Sequence, residues 1–356
     1  MKNFRIALTP GDGIGPEIIS EAIKVLKAIE KTDGKLSFSF NCFPWGAEYY
    51  LNHGEAMPEN ALGVLCDYDA VLLGAVGDPR VDDTIAAEQM LYAIRRGFDQ
   101  YVNLRPVKRF AGAPNPLSED KQIDIVFVRE NLEGEYAPIG GGLYGDGDRA
   151  MSIQTAVFTR WETERVMRYA FELARKRSGK VTSLTKSNAL KYSMVFWDRV
   201  FNDVRKDYPD VRTEQVLIDA MAMFMITKPE TFDVVVASNL FGDIITDLGA
   251  AIQGGLGFAA GGNINPTGKY PSMFEPIGGS APKYKGMSIA NPTAAILAAG
   301  MMLENLGFPE LRGKIVDAAA EVVEEGKVRT KDMGGTNSTT DVGDAIAGKI
   351  LSGGRM

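Results

Sequence analysis

Histidine is almost missing from this chain: His53, in the loop-like stretch LNHGEAMP, is the single one among 356 residues. That argues against a Ser-His-Asp triad, histidine ligation of zinc and histidine base catalysis. Proton transfer falls to Lys, Tyr, Asp or Glu. Cysteine is nearly as scarce. Cys42 and Cys66 lie outside any CxxC pattern, which excludes a disulfide framework and fits a reducing cytoplasm. No apolar run is long enough to span a bilayer, and MKNFRIALTPGDG leads directly into a strand rather than a secretion signal. No membrane association and a cytoplasmic location are therefore expected. Net positive charge is lacking too: the formal charge of -7 argues against nucleic acid or an anionic membrane as partner.

What the chain has is an ordinary globular composition, 45% hydrophobic and 24% charged, with length for two domains that each bury a core. Strand-like apolar runs (FRIALTP, LSFSFNCF, DAVLLGAVG, YVNLRPVKRF, IDIVFVREN, KVTSLTK, TEQVLID, DVVVASN) alternate with amphipathic stretches of helical period such as PEIISEAIKVLKAIEK and WETERVMRYAFELARKR. The segment from about Ala86 to Phe98 reads as helix, and MSIQTAVFTR as a half-exposed strand or arm. This order predicts an α/β fold with a largely parallel sheet. No linker cuts the chain into consecutive domains, which points to one domain inserted in another.

Asp243 and Asp247, spaced i, i+4 in NLFGDIITDLG, face one way on a helix. Such a pair is ordinarily solvated. Here the flanks are apolar, a buried neighbourhood is expected, and buried like charges need a cation or protons. With Asp219 in LIDAMAM they suit Mg²⁺ or Mn²⁺, which favour a few carboxylate oxygens and leave room for substrate oxygens. Arg95, Arg105 and Arg129 sit in apolar or strand-like contexts, as arginines that grip carboxylates bidentately do, whereas Arg96 reads as a surface residue. A cation plus arginines implies a substrate with more than one carboxylate. Lys186, at the end of VTSLTK, is either a surface lysine or a general base; Tyr136 is either packing or a proton donor. GDGIGPE (Gly11 to Glu17) is either a tight strand-to-helix turn or a phosphate contact, its third glycine being misplaced for GxGxxG.

In order along the chain, LTPGDGIGPEI, NLRP, VREN, TKSN, IDAMAM, SNLFGDIITDLG, SMFEP, GSAP and ANP together resemble the β-decarboxylating dehydrogenases: isopropylmalate, isocitrate, homoisocitrate, tartrate and D-malate dehydrogenases. The wording of the middle looks closest to the tartrate/D-malate branch, with isopropylmalate dehydrogenase second. The resemblance implies a two-domain isopropylmalate/isocitrate dehydrogenase-like fold, not a true Rossmann fold, with residues 1–100 plus 250–356 as the cofactor-side domain. Residues 101–249 would form the inserted dimerisation and substrate domain, including an inter-subunit arm at about 137–160. It implies a homodimer with shared active sites, in which Lys186 and Asp219 come from the subunit opposite the one supplying Asp243, Asp247, Arg95, Arg105, Arg129 and Tyr136. The cation would be held by all three aspartates, Lys186 would take the hydroxyl proton, and Tyr136 would protonate carbon after CO₂ leaves. Asn188, Glu275, Gly278, Gly279, Ser280, Ala281 and Asn291 match cofactor-side positions.

Departures from the family pattern are informative. Gly278 replaces the histidine usual beside adenine, and Lys283-Tyr284 replaces the acidic residue that binds the ribose of NAD. A cation there suits a 2′-phosphate, so NADP is favoured over NAD, with Lys228, Arg329 and Lys331 as further cationic candidates. Glu88, Leu91 and Tyr92 match positions facing the malate substituent. Glu88 and Leu91 follow the isopropylmalate pattern, while Tyr92 is bulkier and polar. Gln89 and Leu91 argue against isocitrate, and Leu132 stands where Ser is common. The expected activity is oxidative decarboxylation of a malate-type 2-hydroxy acid. A less common 3-substituted malate, or a non-catalytic regulatory subunit on the same fold, is the alternative.

Overall fold

The structure is a computed structural model, and it describes residues 2–118 and 121–353. The described residues form strands β1 (Lys2–Gly11), β2 (Leu36–Cys42), β3 (Ala70–Ala75), β4 (Val102–Lys108), β5 (Asp124–Glu130), β6 (Gly140–Leu143), β7 (Met151–Gln154), β8 (Lys180–Thr185), β9 (Arg212–Leu217), β10 (Val234–Ala237), β11 (Ala260–Ile264) and β12 (Ser272–Pro276). The chain divides into two compact units. The first holds Met1–Gln100, Lys108–Asp120 and Ala250–Met356; the second holds Tyr101–Val107 and Lys121–Gly249. Residues 108–120, expected in the inserted domain, fall in the first unit. There Phe110 stacks on Phe258 at 5.5 Å, and Gly112 lies against the Val323 carbonyl.

In the first unit the strand order is β2-β1-β3-β12-β11. Only the β11–β12 pair is antiparallel; β1 pairs parallel with β2 and β3, and β3 with β12. Helix Gly15–Asp33 opens with Pro16, whose missing N–H costs nothing in a first turn, and it ends at Gly34 in the left-handed region at φ 68°. It buries Ile18, Ile19, Ala22, Val25, Leu26 and Ile29, the spacing of one helical face. Helix Thr293–Asn305 is buried from Thr293 through Leu303, which is why its sequence is apolar all round. Two expectations change here. His53 is not in a loop but ends helix Ala47–His53, where its Nδ1 meets the Tyr49 carbonyl at 3.0 Å. The helical stretch from Asp83 to Gly97 contains a π turn at Ala87–Tyr92 between two α-helical pieces.

In the second unit the order is β4-β5-β10-β8-β9, with β10 parallel to both β5 and β8, and β8 parallel to β9. The central strands β5 and β10 are Val, Ile and Phe buried on both faces, as inner parallel strands are, whereas the edge strand β9 has no buried residue. Separately, β6 and β7 form an antiparallel two-stranded ribbon in which Gly140 faces Gln154 and Leu143 faces Met151. Every residue of both strands is exposed, so MSIQ is an arm outside any core.

Candidate functional site

A polar cluster of the second unit is built on the first part of helix Asn239–Gln253, where Asn239, Gly242, Asp243 and Thr246 share one face by helical spacing. Arg129, at the end of β5, is buried to 1% and crosses this face. Gly242 makes the crossing possible, because a Cβ there would stand 2.6 Å from Arg129 Cγ. The guanidinium donates to Asn239 Oδ1 through Nε (3.0 Å) and Nη2 (2.6 Å), and through Nη1 to Asp243 Oδ1. Arg105, from β4, donates to Thr246 Oγ1 at 2.7 Å and to Asn103 Oδ1 at 3.0 Å, and lies 3.2 Å from Asp243 Oδ1. The Tyr136 hydroxyl donates to Asp243 Oδ2 at 2.6 Å, and its ring lies 5.3 Å from the Arg129 guanidinium. Asp243 thus joins two arginines and a phenol.

Asp247 lies one helical turn further on. The expected burial of the pair is not found: Asp243 is 37% exposed and Asp247 is exposed. Apolar residues flank them in sequence, but Ile244 itself is 61% exposed, so this part of the helix lies at the unit's surface. Neighbouring atoms still strip enough water from the Asp247 carboxyl to push it above its ordinary range. The Asp243 charge adds to the rise, while Arg105 and Arg129 oppose it.

Lys186 and Asp219 form a separate pair in the same unit, Nζ to Oδ1 at 2.7 Å. The Lys186 ammonium holds the Asp219 carboxyl below its usual range. Among the described residues no three or more His, Cys, Asp or Glu are grouped to hold a metal within one chain. Asn188 is exposed beyond Lys186, and Lys228 is exposed with its ammonium over Phe224 at 3.9 Å.

The first unit holds the remaining candidates. Arg95 is 4% exposed and donates to Glu275 Oε1 at 3.0 Å; Asn263 donates to the same oxygen at 2.7 Å. Arg96 pairs with Glu88, and the Tyr92 ring lies 5.5 Å from the Arg95 guanidinium and 5.8 Å from that of Arg96. Leu91 is half-buried against the core formed by Trp45, Val71, Leu73, Met90, Ile94 and Phe98.

The stretch Gly278–Tyr284 is held against the start of the chain. The Ile14 N–H donates to the Ser280 carbonyl at 2.9 Å, and Glu17 accepts the N–H groups of Gly286 and Ser288. Asp12 accepts those of Ala47, Glu48 and Gly77. GDGIGPE is therefore scaffolding for neighbouring loops. Ala281 takes φ 41°, and Lys283 and Lys331 place their ammonium groups 4.7 and 6.0 Å from the Tyr284 ring centre. A Cβ on Gly278 would meet only Leu256 Cβ, at 3.7 Å, and one on Gly279 would meet open space. Asn291 donates to Asp332 at 3.1 Å.

Residues 5–346 match the family model described as isocitrate/isopropylmalate dehydrogenase. The chain belongs to the isocitrate/isopropylmalate dehydrogenase family. It is 49% identical to a probable tartrate dehydrogenase/decarboxylase of Bacillus subtilis over 98% of this chain and 99% of that protein. It is 46% identical to the decarboxylating D-malate dehydrogenase of Escherichia coli and 44% identical to the 3-isopropylmalate dehydrogenase of Thermobifida fusca, each over 99% of both chains. Among solved structures, isocitrate dehydrogenase from Methylococcus capsulatus superposes with a TM-score of 0.87 at 34% identity, over 98% of this chain and 99% of that one.

Sequence reading missed several residues of this isocitrate/isopropylmalate dehydrogenase-family cluster. Asn239, Gly242, Thr246 and Asn103 orient the arginines and carry no charge to draw attention. The first three were discoverable, since they recur at i, i+3 and i+7 around Asp243 on the same helical face.

Proposed function

We propose that this protein is a metal-dependent, NAD(P)-linked enzyme that oxidatively decarboxylates a malate-type 2-hydroxy acid, of tartrate/D-malate or 3-isopropylmalate kind. The observation that carries this is the meeting of Arg105, Arg129 and Tyr136 on Asp243, with Asp247 one turn away. The donor set fits Mg²⁺ or Mn²⁺: hard carboxylate oxygens, one of them destabilised as an anion and open to solvent. Asp243 and Asp247 would hold the ion with Asp219 of a second copy. When bound, the ion supplies positive charge to the hydroxyl and its neighbouring carboxylate.

The chain's own residues do the rest. Arg105 and Arg129 grip carboxylate, their guanidinium groups held in place by Asn103, Asn239 and Thr246. Arg95 has the same assignment in the first unit, with Glu88, Leu91 and Tyr92 selecting the substituent. Lys186 takes the hydroxyl proton as hydride leaves carbon. Its ammonium lies 2.7 Å from Asp219 Oδ1, which fixes where that nitrogen stands. The C–C bond to the β-carboxylate then breaks, CO₂ leaves, and the Tyr136 hydroxyl returns a proton to that carbon.

NADP is the favoured cofactor. Two ammonium groups, Lys283 and Lys331, flank one aromatic ring, and neither forms an ion pair with a described carboxylate. Two such charges suit a 2′-phosphate, and the open space beside Gly279 leaves room for a base. When bound, the nicotinamide accepts the hydride.

A homodimer completes the proposal. Helix Ile218–Thr227, IDAMAMFMIT, is apolar on most sides, yet only Met221 and Met225 are buried. Met223, Ile226 and Ile244 are exposed, as are Ile139, Leu143, Met151 and Ile153 of the arm. Surface of this kind is covered by a second copy. No described helix is long and apolar enough to cross a membrane.

The test is a panel of D-malate, tartrate, isopropylmalate, isocitrate and homoisocitrate with Mn²⁺ and each cofactor, following reduced cofactor and CO₂ together. Reduction of NADP with equimolar CO₂ is expected for a malate-type acid. No turnover with any acid would favour a regulatory subunit; reduction without CO₂ would leave a simple dehydrogenase.

A further inference from the structure

Two acidic side chains of the second unit are buried without any task in the chemistry above. Glu130 ends β5, Glu162 lies in the first turn of helix Arg160–Arg175, and each is 3% exposed. Glu130 Oε1 accepts the N–H groups of Leu132 (2.6 Å) and Glu133 (3.0 Å), and Oε2 accepts Glu133 again at 3.1 Å. Its carboxyl also meets that of Glu162. Glu162 Oε2 accepts from Arg165, with Nε at 2.7 Å, whereas Glu162 Oε1 is enclosed and meets no donor.

The Arg165 guanidinium thus meets Glu162, and the two buried carboxyl groups meet each other. Glu133 adds negative charge beside both and is itself tied to Thr159, whose N (2.7 Å) and Oγ1 (2.8 Å) donate to it. Two carboxylates in such contact cannot both stay ionised. The backbone N–H bonds favour the charged form of Glu130, and the donorless Oε1 of Glu162 is where a proton makes a bond instead of a repulsion. Burial pushes both groups up, and the charge of Glu130 adds to the rise at Glu162.

The pair sits under the turn that leads to Tyr136. Glu130 binds the start of that turn, Glu133 joins it to Thr159, the N-cap of the helix bearing Glu162, and Gly134 pairs with Val157 by two backbone bonds of 2.8 and 3.1 Å. We propose that Glu130 and Glu162 share one proton, carried on Glu162, and that this proton makes them a positioning pair for the turn that presents Tyr136. The catalytic consequence rests on the role proposed above for Tyr136; the shared proton does not.

The test uses the full-length protein and the variants E162Q and E162A. An amide nitrogen at position 162 donates to Glu130 as the protonated oxygen does, without a titrating proton. Wild type should show the infrared carbonyl band of a buried carboxylic acid at neutral pH, and E162Q should lose it. Between about pH 7 and about pH 10, hydrogen-exchange protection at Leu132 and Glu133 should fall about tenfold in wild type and stay level in E162Q. In E162A it should be low throughout. With an accepted substrate, the alkaline fall of kcat/KM in wild type should be absent or moved upward in E162Q. Identical infrared spectra for wild type and E162Q, or exchange in E162Q that tracks wild type at every pH, would overturn the proposal. If wild type turns over no acid, the functional reading falls alone, because band and exchange still decide the pair.

Discussion

The Tyr136 hydroxyl donates to Asp243 Oδ2 at 2.6 Å, while the other oxygen of that carboxylate faces Arg129 and Arg105. A phenol so placed holds its hydroxyl at a fixed point. Y136F removes one hydrogen bond at a half-buried position, so folding should be little affected. The step needing a proton at carbon should slow by about 100-fold, the usual weight of one general acid. Steady-state kcat with unchanged KM for the cofactor is the check; near-normal kcat would remove Tyr136 from the mechanism.

Lys186 should be needed for the other proton. K186A is expected to reduce kcat by about 100-fold or more while sparing cofactor affinity. It should also return the Asp219 carboxyl towards its ordinary range, since the Lys186 bond is the main cause of its depression. Wild-type turnover in K186A would refute the assignment.

Asp247 gives a prediction about stability. Its carboxyl is raised in the folded protein, so its contribution is favourable below the ordinary carboxylate range and is lost as pH rises through the raised value. At neutral pH, with no metal, the charged side chain is a burden. D247N should therefore raise the Tm of the metal-free protein slightly and abolish the rise in Tm that Mn²⁺ gives wild type. A calorimetric scan with and without Mn²⁺ checks both; an undiminished Mn²⁺ effect would place the ion elsewhere.

Lys283 should set cofactor choice. K283D puts an anion where a 2′-phosphate would lie, beside Tyr284 and Lys331. The ratio of kcat/KM for NADP to that for NAD should fall at least about tenfold, as one charge reversal worth roughly 1.4 kcal/mol requires. An unchanged ratio would contradict the phosphate assignment.

The apolar surface of the second unit predicts assembly. I153D on the arm, or I244D on the helix carrying both aspartates, should convert a dimer to a monomer in light scattering, and the monomer should lose turnover. An I153D protein that stays dimeric would remove the arm from the interface.

The alternation of apolar runs with amphipathic stretches made the strands and most helices readable, because burial on both faces of a parallel sheet leaves its mark in composition. β11 was hidden in a Gly-rich stretch, where backbone pairing with β12 rather than side-chain type makes the strand. The same limit hid the helix ending at His53. Charged members of the Asp243 cluster were visible as residue types in suspicious surroundings. Their partners Asn239 and Thr246 were legible only as positions on the helical face of Asp243, since neutral side chains acquire meaning through what they touch. The burial of Asp243 and Asp247 was misjudged for a related reason. Apolar neighbours in sequence indicate burial within one unit, but Ile244 is apolar and exposed. The pairing of Glu130 with Glu162 carried no sequence signal, because it is a contact across 32 positions of chain.

The π turn at Ala87–Tyr92 packs one residue more into its turn than an α-helix would, just ahead of Arg95. Loss of a single residue there would restore regular winding and swing Glu88 by about 100° around the axis, while Arg95 stayed where it is. A one-codon deletion would thus exchange the side chains proposed to select the substrate, with the rest of the scaffold untouched. Selectivity in this lineage is then open to change by slippage as well as by substitution.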